Sequence, residues 1–286
     1  MRIGLATCAV LPGWEVDDRF LHRGLDAHEA QWDTPVWNDP LVDWAQYDAV
    51  LIRTTWDYQV NLPAFLAWID QVAQVTRLFN PPEIVRWNSH KSYLRDLEIR
   101  GIPIIPTVWL EAGSAPDLPT ILADRDWKRA FLKPMVGAVA RETLRFDADD
   151  LDAAHEHLAR LLPTEGLMLQ PYLSRVETHG EVSTIHIDGA LAQIVQKVPV
   201  AGDYRVQDDW GATDHPSTLP PAGRALSERV LEAAGAENLL YARVDYLRDD
   251  AGELTVTELE LIEPSLFFRH CPASGPRLAD ALIARL

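Results

Sequence analysis

Between Leu254 and Ile262 the chain sets Glu258 and Glu260 alternately with Leu259 and Leu261. In an extended strand, residues two apart face the same way, so this run puts leucines on one face and two glutamates together on the other. The preceding strand-like run, Tyr241 to Leu247, carries Arg243 and Asp245 on one face, and the short turn Asp249-Asp250-Ala251-Gly252 makes the two runs neighbours. Asp245, Glu258 and Glu260 then converge to a degree that the register decides. Carboxylates held that close repel unless cations neutralise them, and an oxygen-only set suits Mg2+, with Mn2+ as its substitute. A solvent-facing strand edge that merely bears acids would give the same pattern. Glu263-Pro264-Ser265 favours the metal reading, because it ends the strand where a ligand can enter.

The rest of the chain divides by its punctuation. Strand-like runs at Arg2 to Ala6 and Ala49 to Arg53 alternate with helical stretches, a βαβ rhythm that predicts a small parallel-sheet lobe over residues 1–82, closed by Pro81-Pro82. A connecting segment, 83–119, holds a predicted helix from His90 to Gly101 and a loop rich in Gly, Ser, Ala and Pro from Glu111 to Pro119. Residues 120–286 form the larger part. Strands are expected at Ala130 to Leu132, Thr143 to Phe146 and Leu167 to Gln170, with a hairpin of Val182 to Ile187 and Ala190 to Gln196 turning at Asp188-Gly189. Leu167 to Gln170 and this hairpin are expected to share one antiparallel sheet. Helices are expected at Asp149 to Leu162 and Ser227 to Ala236, and the loops at Met135 to Ala140 and Ala201 to Leu219 have the character of segments that close over sites.

Charge and composition narrow the classes of partner. The formal charge of -17 repels a phosphate backbone, and Lys and Arg form no stripe, so nucleic acid is excluded as a partner. No apolar run approaches the roughly 20 residues of a membrane span, and the N-terminal strand lacks the apolar stretch of a secretory signal. Two cysteines at opposite ends, Cys8 and Cys271, fit neither a zinc cluster nor a disulfide framework, so a cytoplasmic protein is expected. An acidic chain that binds a nucleotide must concentrate positive charge locally, which makes its few lysines informative.

Motif by motif, the chain resembles the ATP-grasp ligases, in particular bacterial glutathione synthetase and the O-ureido-serine cyclo-ligase of cycloserine biosynthesis. Phe131-Leu132-Lys133-Pro134 is similar to the strand whose lysine reaches nucleotide phosphates, and Lys91 stands where the family has an earlier phosphate-binding lysine. Gln170-Pro171-Tyr172-Leu173 resembles the adenine hinge, and Glu181 the acid that binds ribose. Lys197 with Gly202-Asp203-Tyr204-Arg205-Val206-Gln207 resembles the segment that faces the phosphates and the acyl-phosphate intermediate, and Glu258 to Ser265 the terminal metal-binding strand. Glu260 replaces an asparagine of glutathione synthetase, which keeps an oxygen ligand. Ser183 replaces an arginine, which removes a cation from the acyl site. Arg53 to Tyr58, Asn80-Pro81-Pro82 and Arg86 to Ser89 resemble the N-terminal pattern of the cycloserine branch.

The resemblance implies a mixed α+β and α/β fold, the ATP-grasp, with an N-terminal Rossmann-like parallel-sheet lobe and two α+β subdomains gripping ATP. It implies an ADP-forming carboxylate–amine ligase acting through an acylphosphate on a small amino-acid-like acid. Lys91, Lys133, Gln170, Tyr172, Leu173 and Glu181 are then expected at ATP. Asp245, Glu258 and Glu260 are expected at Mg2+, and Arg205 and Lys197 at the reacting groups. Arg53, Trp56, Asp57 and Tyr58 follow a strand of the N-terminal lobe, where α/β sheets place ligand contacts, so they are expected at the substrate unless the rings only pack against the second lobe. A kinase-like phosphotransferase and a nucleotide-binding regulatory protein without turnover remain alternatives. Homo-oligomers stay open.

Overall fold

The protein is described by a computed structural model covering residues 1–11, 16–137, 141–207 and 210–286. Of the two loops singled out above, residues 138–140 of the first and 208–209 of the second lie outside the described residues.

The N-terminal part is a parallel sheet in the order β2 (Gln31–Asp33), β1 (Arg2–Thr7), β3 (Ala49–Thr54), β4 (Arg77–Phe79). Every residue of β3 is buried. A strand covered on both faces needs an unbroken apolar run, and Ala49-Val50-Leu51-Ile52 supplies it. Helix α1 (Arg19–Ala27) packs on α9 (Ser274–Ala284), the last helix of the chain. Their approach requires glycine, because a Cβ on Gly24 would stand 2.7 Å from the Ala279 Cβ, and one on Gly275 2.4 Å from the Phe20 backbone.

Two antiparallel sheets follow. One runs β5 (Val108–Leu110), β8 (Leu167–Pro171), β6 (Arg129–Pro134), β7 (Leu144–Asp147), and shares an apolar core with α5 (Leu118–Asp124) and α6 (Asp152–Leu161). The other runs β11 (Thr213–Pro216), β10 (Ala190–Val198), β9 (Glu181–Ile187), β12 (Tyr241–Arg248), β13 (Leu254–Glu260), backed by α4 (Tyr93–Ile99) and α8 (Pro221–Ala234). The β9–β10 hairpin turns at Asp188 and Gly189 as predicted, both at positive φ, as a twist-matched two-residue turn requires.

Three expectations change. The loop expected over Ala201 to Leu219 carries β11, paired with β10. Leu167 to Gln170 pairs with β5 and β6 rather than with the hairpin, so the chain crosses from one antiparallel sheet to the other between β8 and β9. Helix α8 starts at Pro221 instead of Ser227, because proline at the first helical turn fits its fixed φ and missing N–H.

The outer edge of β13 is sealed by side chains from before the second sheet begins. Asn88 Nδ2 donates to Leu259 O at 2.7 Å while its Oδ1 accepts from Leu261 N at 2.8 Å, an amide standing in for a neighbouring strand. The Tyr93 hydroxyl accepts from Leu259 N at 3.0 Å, and Asn80 Nδ2 donates to Leu261 O at 2.7 Å. The Asn80-Pro81-Pro82 and Arg86 to Ser89 motifs thus hold the acid-bearing strand in place. Helix α3 (Pro82–Asn88) delivers Asn88 to it.

Candidate functional site

A cleft of about 400 Å³ lies between the two antiparallel sheets, with Trp56 and Tyr58 of the N-terminal part at one side. Its floor is the face of β12 and β13 carrying the acids. Asp245 pairs in register with Glu258, and Arg243 with Glu260, while Leu259 and Leu261 are buried on the opposite side. Oxygens of Asp245, Glu258 and Glu260 can all lie within 4.8 Å of one another, a separation a divalent cation can bridge.

Cations interleave with these acids across the sheet. Lys91 is ion-paired with Glu258, and Lys197 of β10 with Glu181 of β9. Lys197 also reaches Asp245 at 3.3 Å, and Arg243 donates to Asp245 at 3.0 Å and to Glu260. Burial alone would raise the Asp245 carboxyl, but Arg243 and Lys197 hold it well below the usual carboxylate range, with the Ser183 hydroxyl donating at 2.6 Å. Glu260 goes the other way: burial, with Glu258 and Asp245 nearby, outweighs Arg243 and pushes it up to about 7. Burial pulls Lys91 and Lys197 down, yet their acidic partners leave both above the ordinary lysine value. Across the cleft, Lys133 of β6 has no ion-pair partner among the described residues; its Nζ lies 4.9 Å from the Phe131 ring centre. Burial, and after it the charge of Lys91, brings it down to about 8.

The cleft therefore gathers Lys91, Lys133, Lys197, Glu181, Asp245, Glu258 and Glu260 from both antiparallel sheets and the segment before them. Gln170 and Leu173 line it as well, and the Gln170 amide donates to Thr107 Oγ1 at 2.9 Å. The Tyr172 side chain does not line it. That ring instead packs near Phe131, Tyr204 and Arg145, with its hydroxyl donating to Glu177. Arg205 lines the cleft but is locally engaged, clamped by Asp203 through bonds of 2.6 to 3.1 Å and stacked 3.6 Å from the Trp210 ring centre.

Of the residues expected at the substrate, Trp56 and Tyr58 reach the cleft and Arg53 and Asp57 do not. Arg53 is 2% exposed; its Nε and Nη2 donate to Asp18 at 3.0 and 2.8 Å, and its Nη1 to Pro264 O at 3.4 Å. Asp57 accepts from Trp37 Nε1 at 2.7 Å. Both hold the framework. On the strand adjoining Ser183, Arg243 occupies the floor directly beside Asp245. Arg243 shares a strand face with Asp245 in the sequence alone, but its centrality comes from pairing across to Glu260. Glu263 and Ser265, at the strand end where a ligand was expected to enter, line the cleft, and so does Arg269, which the turn of the chain after β13 brings to it. Arg269 pairs with Asp214 of β11 and lies 3.8 Å from Asp17, tying three distant segments together.

Residues 3–80 match a family model described as the N-terminal domain of the D-cycloserine synthetase DcsG. The chain is 34% identical over 267 residues to the cycloserine biosynthesis protein DcsG of Streptomyces lavendulae, covering 87% of each chain. It is 23% identical over 213 residues to a glutathione synthetase of Bradyrhizobium diazoefficiens, covering 74% of this chain and 65% of that one. The crystal structure of D-cycloserine synthetase DcsG superposes with a TM-score of 0.90 at 30% identity, over 100% of this chain and 99% of that one. A D-alanine–D-alanine ligase from Bacillus anthracis shares the fold, with a TM-score of 0.74 at 17% identity over 99% of this chain and 96% of that one. Among the described residues no helix is long and apolar enough to cross a membrane. The parallel sheet and two facing antiparallel sheets are those the motifs implied, and the chain belongs to the ATP-grasp ligases, as an ATP-dependent enzyme related to DcsG.

Proposed function

We propose that the protein activates the carboxylate of a small amino-acid-like substrate as an acylphosphate, at the expense of Mg-ATP, and transfers the acyl group to a nitrogen nucleophile. The observation that carries this reading is the row of interleaved charge across β10, β9, β12 and β13, faced by Lys133, which has no ion-pair partner among the described residues. Phosphoryl transfer is catalysed mainly by positioning and by neutralising charge on the phosphate oxygens, and such a row is built for it. The likeness to a protein of cycloserine biosynthesis supports the amino-acid-like substrate. The unpaired cysteines support a cytoplasmic enzyme.

Lys91 and Lys133 are assigned to the nucleotide phosphates, Gln170 and Leu173 to the adenine side, and Glu181 to the ribose. The all-carboxylate donor set of Asp245, Glu258 and Glu260 fits Mg2+, which these residues would hold and which would supply charge neutralisation at the phosphates; Lys91 and Arg243, paired with the same acids, border that position. A substrate carboxylate oxygen attacks the γ-phosphorus and the bond to the β-phosphate oxygen breaks, leaving ADP and an acylphosphate. The amine then adds to the carbonyl carbon, loses a proton and expels phosphate. Lys197, Arg243 and Arg205 are the cations available to the oxyanion formed in that second step. Residues 1–82 are assigned to substrate recognition, 83–119 to the connection, whose β5 joins the first antiparallel sheet, and 120–286 to nucleotide and catalysis.

Incubating the enzyme with Mg-ATP, a panel of amino acids and hydroxylamine tests the reading, because hydroxylamine captures an acylphosphate as a hydroxamate. Equal, acid-dependent yields of ADP, phosphate and hydroxamate are expected. Hydrolysis that no acid stimulates would sink the ligase chemistry, and ADP without matching phosphate would make the protein a phosphotransferase.

A further inference from the structure

Immediately after β13 the backbone is held at every carbonyl in turn. The Tyr241 hydroxyl donates to Ile262 O at 2.7 Å, Trp56 Nε1 to Glu263 O at 2.9 Å, Arg53 Nη1 to Pro264 O at 3.4 Å and Arg243 Nη1 to Ser265 O at 3.1 Å. Side chains from β3, β12 and the loop after β3 thus converge on a segment with no strand partner of its own. The side chain fixed at its centre is Glu263, which is 8% exposed and lines the cleft beside Tyr58.

Glu263 differs from the other cleft acids in one respect. Glu181, Asp245, Glu258 and Glu260 each face a lysine or arginine. No ion pair reaches Glu263 among the described residues: Arg243 and Lys91 act on it only from a distance, and the donor it meets is its own backbone N–H. It also stands outside the group of oxygens that can share a metal ion. Burial, with Glu260 and Glu258 nearby, holds this carboxyl well above the usual carboxylate range, and a preorganised segment that retains such a group without an ion pair is suited to a cation that arrives with a ligand.

Resting on the ligase reading above, we propose that Glu263 receives the ammonium group of the acid being activated, so that this enzyme selects amino acids over simple carboxylic acids. The ammonium would sit between Glu263 and the aromatic wall of Trp56 and Tyr58, while Arg243 and the metal side of the cleft face the carboxylate. Arg53, buried as it is, serves this recognition indirectly by holding Pro264.

The test compares D- and L-alanine and D- and L-serine with propionate and 3-hydroxypropionate, using hydroxylamine as the fixed nucleophile, in the wild type and in Glu263→Gln. The wild type is expected to form hydroxamate from an amino acid in clear preference to its des-amino counterpart. Glu263→Gln is expected to lose about tenfold or more of kcat/KM for the amino acid, mainly through KM, and to narrow that preference. Its affinity for Mg-AMPPNP and its Mg2+ requirement are expected to stay at the wild-type level, which also shows that the variant folds. Activation of acids by the wild type without preference for the ammonium overturns this inference alone. So does an undiminished preference in Glu263→Gln, or a raised Mg2+ requirement in its place, which would make Glu263 a metal ligand. If no acid is activated by the wild type, the ligase reading falls and takes the inference with it.

Discussion

Ser183 and Asp245 face each other across the β9–β12 pair, and the serine hydroxyl donates to the carboxylate at 2.6 Å with both residues buried. The serine therefore orients an acid of the proposed metal group from the neighbouring strand. Ser183→Ala removes a charge-assisted bond worth about 1.5–3 kcal/mol of stability. It is expected to raise the Mg2+ concentration for half-maximal activity roughly 10-fold. A Mg2+ titration of ADP release checks this, and an unchanged midpoint would show that Arg243 and Lys197 hold Asp245 unaided.

Arg53 and Asp18 form a bidentate pair, buried on both sides, that joins β3 to the start of α1. Breaking it by Arg53→Met leaves the Asp18 charge buried, which is expected to cost about 3–5 kcal/mol. Arg53→Lys keeps the charge but loses the fork that meets both carboxylate oxygens, so it recovers only part of the loss. Chemical denaturation measures both. A Met variant as stable as the wild type, with only its KM altered, would return Arg53 to direct substrate contact.

How legible these features are in the sequence depends on how local they are. The acid pair of β13 is visible because a period of two needs only adjacent residues, and Asp245 joins it because the β12–β13 turn is short. Lys133 and Lys197 are legible through the motifs around them. The sheet membership of β8 is hidden, since it depends on pairing with β5 and β6, residues tens of positions away whose apolar runs carry no partner label. Arg53 looks like a binding residue in sequence because nothing local reveals Asp18, 35 positions earlier, as its partner. Glu263 is hidden for the same reason: its setting is made by donors from the distant β3 region and from β12.

Lys133 titrates near neutrality in the ligand-free protein, at about 8, because burial and Lys91 both disfavour its charge. The folded value lies below the ordinary 10.5, so between the two the unfolded chain holds a proton that the folded one lacks. Stability from this group is accordingly lowest below pH 8 and recovers as pH rises through that window. A nucleotide phosphate reverses the balance by favouring the charged lysine. Calorimetry of AMPPNP binding at about pH 8.5 in buffers of different ionisation enthalpy is expected to show uptake of roughly half a proton or more. The uptake should vanish in Lys133→Met; identical heats in every buffer for the wild type would contradict it.

Tyr204 joins the loop carrying Arg205 to the opposite sheet through an aromatic box. Its ring lies 4.7 Å from Phe131 of β6 and 6.4 Å from Tyr172, and the Arg145 guanidinium lies 5.2 Å from the Tyr172 ring centre and 5.1 Å from that of Tyr204. Aromatic pairs of this kind contribute about 0.5–1.5 kcal/mol each and an exposed cation–π contact about 0.5–1 kcal/mol. Tyr204→Ala removes all of Tyr204's contacts at once, enough to shift the segment away from the cleft for much of the time. An acylphosphate left open to water hydrolyses, so the variant is expected to release more ADP per hydroxamate formed, with the excess growing as hydroxylamine is lowered. Tyr204→Phe keeps the ring and should keep the wild-type ratio. If the alanine variant also keeps that ratio, the box stabilises the fold without guarding the intermediate.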